Sequence, residues 1–183
     1  SEHDWLEGRG PVRYLVRMID DATSWSWGRF VERDATPQNM GVLWEYLEKN
    51  GRMMDVYTDR DAMFAVPPRS GESQDQQREA DRLTQLGRAL RELGIGSILA
   101  YSPQAKGRIE RSFLTAQDRL VKHLRLAKVA TLEGANAFLE KEYWPEWNTH
   151  FARPVADFPN HHRALTPQLD LAAILCHVEQ RVI

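Results

Sequence analysis

Ser102-Pro-Gln-Ala-Lys-Gly-Arg-Ile-Glu-Arg111 is the stretch on which the fold of this chain turns. Ser-Pro and Lys-Gly are loop punctuation, and from Arg108 to about Leu126 the residues keep helical spacing. The pattern predicts a turn-rich loop handing over to a long amphipathic helix, with Glu110 on its first turns. Taken alone, such a glutamate is an ordinary helix-start residue, favoured by the positive end of the helix dipole. Along the helix, Arg108, Arg111, Arg119 and Lys122 fall on one stripe, and Ile109, Phe113, Ala116, Leu120 and Leu124 fall on another. The apolar stripe can enter a core while the basic one meets phosphate; the plainer alternative is a solvated basic face.

Working outward from that stretch, Pro11 to Ile19 reads as a strand, Asp20 to Ser24 as a turn and Trp25 to Val31 as a returning strand, behind a polar lead-in from Ser1 to Gly10. Asp20 and Asp21 are turn formers rather than metal ligands on this reading, because tight turns recruit aspartate for its hydrogen bonds to backbone. Thr36-Pro37 opens a helix with Met40, Leu43, Trp44 and Leu47 on its apolar face, and Gly51 closes it. Arg52 to Tyr57 is the next strand, which delivers Asp59 at its mouth in Tyr57-Thr-Asp-Arg60. Residues 64–77 are rich in Pro, Ser, Gly and Gln without periodicity and read as an inserted loop. From Arg78, the series Ala80, Leu83, Leu86, Ala89, Leu90, Leu93 makes an amphipathic helix stopped by Gly94, and Gly96 to Tyr101 is a short strand back to the opening stretch. Beyond it, Thr131 caps a helix carrying Ala135, Phe138, Leu139 and Tyr143 toward Trp144 and Trp147, and Thr166-Pro167 opens a last helix to about Val182.

The 183 residues suffice for one well-buried domain with a small appendage, and 42% apolar with 27% charged residues is ordinary globular usage. One cysteine excludes a disulfide framework, and Cys176, in an apolar run, reads as a buried small hydrophobe. No run of residues is apolar and long enough to span a bilayer, which predicts a soluble protein of the cytoplasm. With 24 basic and 26 acidic residues, the net charge of -2 offers nucleic acid no global attraction, so DNA binding would fall to local patches. His161-His162 reads as a solvated loop, since neighbouring side chains point apart in regular structure.

Ser-Pro-Gln-x-x-Gly-x-x-Glu, from Ser102 to Glu110, preceded by a strand ending in Thr58-Asp59, resembles the catalytic core of the DDE transposases and retroviral-type integrases, a branch of the ribonuclease H-like fold. The chain is similar to bacterial insertion-sequence transposases of the ISNCY-like group along nearly its whole length. The shared segments, in order, are His3-Asp-Trp-Leu-Glu-Gly-Arg-Gly-Pro11, Met18-Ile-Asp-Asp-Ala-Thr23, Thr58-Asp-Arg60, Leu86-Gly-Arg-Ala-Leu-Arg-Glu-Leu-Gly94 and the opening stretch. The resemblance implies an α/β, ribonuclease H-like architecture, a mixed five-stranded sheet flanked by helices. Residues 1–150 would be an integrase-type catalytic core and 151–183 a C-terminal extension with a final helix, the whole a fragment of a longer transposase.

The implied chemistry is in-line displacement at phosphorus. Water frees a 3′-hydroxyl at an element end, and that hydroxyl attacks target DNA. Two Mg²⁺ (or Mn²⁺) ions about 3.5 to 4 Å apart stabilise the attacking and leaving oxygens in such reactions. Magnesium prefers carboxylate and water oxygens, and the resemblance assigns Asp59 and Glu110 as catalytic metal ligands. Lys106, Arg108 and Arg111 would steady phosphates, with Arg119 and Lys122 further along the same stripe, and Gly107 would let the backbone bend close to DNA before the helix. Duplex DNA, a homo-oligomeric active complex and a place at the nucleoid follow by the same analogy. Aligned on His3-Asp-Trp5, the family's first acidic ligand falls just before Ser1, so two of three ligands are expected here, and activity is expected to need the third. The alternative is a non-catalytic ribonuclease H-like module for DNA binding or assembly.

Overall fold

A computed structural model describes residues 2–58, 84–99, 103–153 and 160–179, with the backbone alone at 99 and 103–112. By contacts the chain divides into two units, Ser1–Asp34 with Lys106–Asn160, and Ala35–Ala105 with His161–Ile183.

In the first unit, Asp20 makes a tight turn: its Oδ1 accepts from the N–H groups of Ala22 and Thr23 at 2.8 and 2.9 Å. The turn joins β2 (Arg13–Ile19) to β3 (Ser26–Val31), antiparallel with Tyr14 opposite Val31 and Ile19 opposite Ser26. The lead-in is not merely polar. β1 (Glu2–His3) pairs with β2, and Trp5 and Leu6 are each 1% exposed, Trp5 edge-on to Phe30 at 5.5 Å. All six residues of β3 are buried, Arg29 included. Its guanidinium donates to the Asn136 carbonyl at 3.3 Å, pairs with Glu140 and lies 5.2 Å from the Trp27 ring, which makes burial of a charge tolerable.

In the second unit, α1 (Thr36–Asn50) buries Met40, Leu43 and Leu47, and Gly51 closes it at φ +81 with its N–H on the Leu47 carbonyl, 2.9 Å. Ala35, not Thr36, holds the N-cap position, and Pro37 sits in the first turn, where its missing N–H costs nothing. β4 (Asp55–Thr58) starts later than expected, because Arg52 instead forms a lone bridge with Arg163. α2 (Gln85–Glu92) carries Leu86, Ala89 and Leu90 of the apolar series, and the part of that series from Arg78 to Leu83 lies outside the described residues. Thr84 is extended and its hydroxyl accepts from the Gly87 N–H at 3.0 Å, a cap that fixes the first turn. It ends in a Schellman motif: Gly94 at φ +65, Gly94 N–H to the Arg91 carbonyl and Ile95 N–H to the Leu90 carbonyl, with Leu90 and Ile95 both buried. β5 (Gly96–Leu99) then lies parallel to β4.

The C-terminal stretch joins this second unit. Arg163 and Arg52 exchange backbone hydrogen bonds at 2.8 Å, and the Arg88 guanidinium donates to the Ile174 and Cys176 carbonyls at 2.9 and 2.7 Å. His162 departs from the expected solvated loop: its Nε2 is 2.8 Å from the Tyr46 hydroxyl, although His161 is exposed. The final helix shrinks to one turn, α6 below, Leu171–Ile174, because Asp170 rather than Thr166 caps it by accepting from the Ala173 N–H. After that turn, Val178 exchanges hydrogen bonds with the Gln85 side chain instead of continuing the helix. Cys176 is consequently exposed rather than buried, with its thiol on the Ala173 carbonyl.

α3 (Pro103–Leu126) begins five residues before Arg108, so Lys106 and Gly107 lie inside the helix rather than in a preceding loop. Proline at the first helical position is pre-set for the turn, and 24 residues carry one interior glycine at a cost of about 1 kcal/mol. Gly107 is therefore no hinge before the helix. Next come α4 (Leu132–Phe138), capped by Thr131 as expected, a π-helical turn at Leu139–Tyr143, and α5 (Trp144–Phe151), before α6. The wide turn has a cause: Pro145 has no N–H to give Lys141, and the Trp144 N–H reaches back five residues to the Leu139 carbonyl. Among the described residues the strands form a three-stranded antiparallel sheet, β1-β2-β3, and a two-stranded parallel sheet, β4-β5. The architecture is mixed α/β. The expected single mixed five-stranded sheet is not what these ladders form: among the described residues one sheet is wholly antiparallel and the other wholly parallel.

Candidate functional site

The parallel pair β4-β5 sets the geometry. Thr58 lies opposite Leu99, so the chain leaves both strands at the same end, to Asp59 after one strand and toward the start of α3 after the other. Thr58 is 7% exposed and its hydroxyl has no hydrogen-bond partner, an orphan immediately before Asp59. On the opposite face Tyr57 and Ile98, paired in register, are 45% and 48% exposed.

Asp59 lies outside the described residues. Glu110 stands in α3, seven residues in from Pro103, and its side chain lies outside the described residues, as do those of Lys106, Arg108 and Arg111. α3 has no acidic residue in its first turn, so the helix dipole, which acts within about one turn, does not account for Glu110. Among the described residues, no group of three or more His, Cys, Asp and Glu could hold a metal ion.

Farther along α3 the two stripes separate as the spacing predicts: Ala116, Leu120 and Leu124 are 0% exposed, whereas Arg119 and Lys122 are exposed. The two cations are not equivalent. Lys122 Nζ pairs with Asp118 at 2.5 Å, one helical turn away, and holds that carboxyl below its ordinary pKa. The Arg119 guanidinium instead lies 5.1 Å from the Phe151 ring.

Two proteins are similar in sequence over most of the chain. One, named as a transposase, y4bF, of Sinorhizobium fredii, is 37% identical over 185 aligned positions, 100% of this chain and 39% of that protein. The other, a transposase for insertion sequence IS1202 of Streptococcus pneumoniae, is 35% identical over 141 positions, 76% of this chain and 29% of that protein. The chain is a transposase relative. It spans about two fifths or less of the length of these relatives. Its fold, moreover, is that of a chain in the cryoEM structure of the simian T-cell lymphotropic virus intasome in complex with PP2A regulatory subunit B56 gamma, with a TM-score of 0.52 at 15% identity over 100% of this chain and 54% of that one. No protein-family model matches it.

In this transposase-related chain, two features escape a sequence reading. Among the described residues β3 is the edge of its sheet, and three helix side chains seal its outer edge. Asn136 accepts from the Phe30 N–H and donates to the Phe30 carbonyl at 2.7 and 3.0 Å; Asn148 does the same for Ser26 at 2.8 and 2.9 Å; the Trp144 indole N–H donates to the Gly28 carbonyl at 2.9 Å. Gly28 is required there, since a Cβ would come within 2.4 Å of the Val16 carbonyl oxygen and 3.2 Å of the Trp144 ring. Beside this seal, the Arg17 guanidinium lies 4.6 Å from the Trp147 ring and 5.4 Å from that of Trp144 and donates to Ser26 Oγ at 3.0 Å. Burial lowers its pKa to about 10, which leaves it charged at neutral pH. Nothing in the spacing of Arg17, Asn136 or Asn148 marks them out.

Proposed function

We propose that this chain is the catalytic core of a DDE transposase, which cuts and joins duplex DNA by in-line displacement at phosphorus with Asp59 and Glu110 as its acidic pair. On this reading the two described sheets are parts of one ribonuclease H-like five-stranded sheet, with residues 1–150 as the core and 151–183 as its extension. The observation that supports it most is the parallel register of β4 and β5, whose shared C-terminal end leads to both acidic residues. In open α/β sheets, ligands gather at the carboxyl ends of the strands. The orphaned Thr58 hydroxyl is the kind of unfilled polar position that such an end leaves open.

The donor chemistry suits Mg²⁺ or Mn²⁺, since two carboxylates offer hard oxygens. When bound, such ions neutralise charge that develops on the attacking and leaving oxygens. Asp59 and Glu110 hold the cation site through their carboxylates, which must be ionised to do so. Lys106, Arg108, Arg111, Arg119 and Lys122 grip backbone phosphates and fix the register of the strand, without reading its sequence. Lys122, already paired, contributes least. The joining of two DNA ends calls for more than one copy of the chain, so the active complex is a homo-oligomer.

Metal-dependent nicking of duplex DNA by a longer form of the protein, one that includes the residues ahead of Ser1, tests this. Asp59→Asn or Glu110→Gln should each slow cleavage about a thousandfold, near 4 kcal/mol of barrier, with the thermal midpoint unchanged. Wild-type rates in both variants would contradict the proposal and leave the non-catalytic binding module.

A further inference from the structure

Within the Ala35–Ala105 and His161–Ile183 unit, Arg52 and Arg163 face one another across a lone antiparallel bridge and exchange backbone hydrogen bonds at 2.8 Å. Residues paired in this way carry their side chains on the same face, where two like charges directly opposite repel. The C-terminal end of α2 holds the pair. Arg52 Nη1 donates to the Leu93 carbonyl at 2.7 Å, and Arg163 Nη2 donates to the Gly94 and Met53 carbonyls at 2.6 and 3.2 Å. These carbonyls and the negative end of the helix dipole offset part of the charge. No carboxylate offsets the rest. Arg9, Arg29 and Arg88 each pair with a glutamate, whereas among the described residues neither Arg52 nor Arg163 meets an acid. Asp55, three positions from Arg52, lies over Gly96 instead.

Gly94 is exposed and leaves a gap beside the two guanidiniums. A Cβ built on it would meet nothing nearer than Arg52 Nη1 at 3.7 Å and Arg163 Nη1 at 3.9 Å, so both groups border one open point. Among the described residues Arg163 Nη1 gives no hydrogen bond, and Arg52 Nη1 keeps a second hydrogen beyond the one on Leu93. Only the Nε atoms of the pair are closed to solvent without a partner, so the open donors are the Nη groups.

We propose that Arg52 and Arg163 form an oxyanion notch over Gly94 that grips a phosphate of the DNA backbone. The choice of DNA rests on the transposase reading, and the choice of phosphate rests on the notch. One guanidinium fork satisfies a planar carboxylate by itself, whereas a tetrahedral phosphate offers oxygens to two forks at once. The notch lies at the N-terminal end of β4, whose other end leads to Asp59, so it anchors the duplex and takes no part in the chemistry. Lys106, Arg108, Arg111, Arg119 and Lys122 all belong to the other unit, which makes this a DNA contact separate from theirs.

Fluorescence anisotropy with a labelled duplex, without divalent metal, reads this contact independently of cleavage. Arg163→Gln and Arg52→Gln should each weaken binding about fivefold for all sequences alike and take about one unit from the slope of log affinity against log salt. Both arginines also hold the end of α2, so Gly94→Asn supplies a variant that keeps them: asparagine accepts the positive φ of +65 and puts its side chain into the notch. It too should weaken duplex binding about fivefold, with the thermal midpoint close to that of the wild type. Inorganic phosphate, exchanged for chloride at constant ionic strength, should raise the midpoint of the wild type more than that of Gly94→Asn. Wild-type affinity and salt slope in folded Arg163→Gln and Gly94→Asn would overturn the notch. A phosphate response with duplex affinity unaltered in every variant would overturn the assignment to DNA. So would variants that change the sedimentation of the protein and not its DNA binding, because the notch would then hold an acidic group of a second copy. No cleavage is measured, so a failed nicking test leaves the notch standing, and loss of the notch leaves the acidic pair standing.

Discussion

The outer edge of β3 and the C-terminal end of the β4-β5 pair are opposite solutions to the same problem. Both leave backbone and side-chain polar groups that must find partners or water. At β3 the three helix side chains of Asn136, Trp144 and Asn148 satisfy alternate backbone positions, and the edge is closed to further strands. At β4-β5 the Thr58 hydroxyl is buried without a partner and the Tyr57-Ile98 pair is half-exposed. The sealed edge carries stability. The unsealed end, with Asp59 next in sequence, is where we place chemistry, because a group already satisfied has nothing left to offer a substrate.

That contrast can be broken by substitution. Trp144→Ala removes a buried indole and the Gly28 hydrogen bond together, and should cost about 3 to 5 kcal/mol, read as a shift in the denaturant midpoint. A loss under about 1 kcal/mol would mean that the β3 edge is not held by its helix. Asn136→Ala strands the Phe30 N–H and carbonyl and should cost about 1 to 3 kcal/mol. It should also raise hydrogen exchange at Phe30 more than at Leu15, whose strand is paired on both sides. Thr58→Val should leave stability unchanged or raise it by about 1 kcal/mol, since it removes a hydroxyl that has no partner. Metal-dependent cleavage should nonetheless fall. Destabilisation by the valine would show that the hydroxyl is satisfied, and the two ends would no longer differ.

Sequence reading succeeded where the deciding interaction is local. The Asp20 turn, the Thr131 cap, the glycine stops at Gly51 and Gly94 and the two stripes of α3 are each written within a few residues of where they act. It failed where the partner is remote or where length decides. Asn136 meets its strand 106 positions away and Asn148 meets Ser26 122 positions away, and both look like ordinary helix-surface residues. The run around Cys176 is apolar enough for a helix, but Asp170 starts it late and the Gln85 side chain takes Val178. Pro103 could end a loop or begin a helix, and the same dipeptide serves both. Of the candidate site, the strand leading to Asp59 and the helix bearing Glu110 were legible from their patterning. Lys122 stands out in the sequence by its charge, whereas Asp118, which pairs with it, belongs to neither stripe.

A crystal of the protein soaked in Mn²⁺ tests the central claim most directly. The account predicts an anomalous peak with carboxylate oxygens of Asp59 and Glu110 both about 2.1 to 2.2 Å from it, a distance typical of hard divalent ions. Well-ordered Asp59 and Glu110 side chains with no shared ion, turned to different faces of the protein, would contradict it.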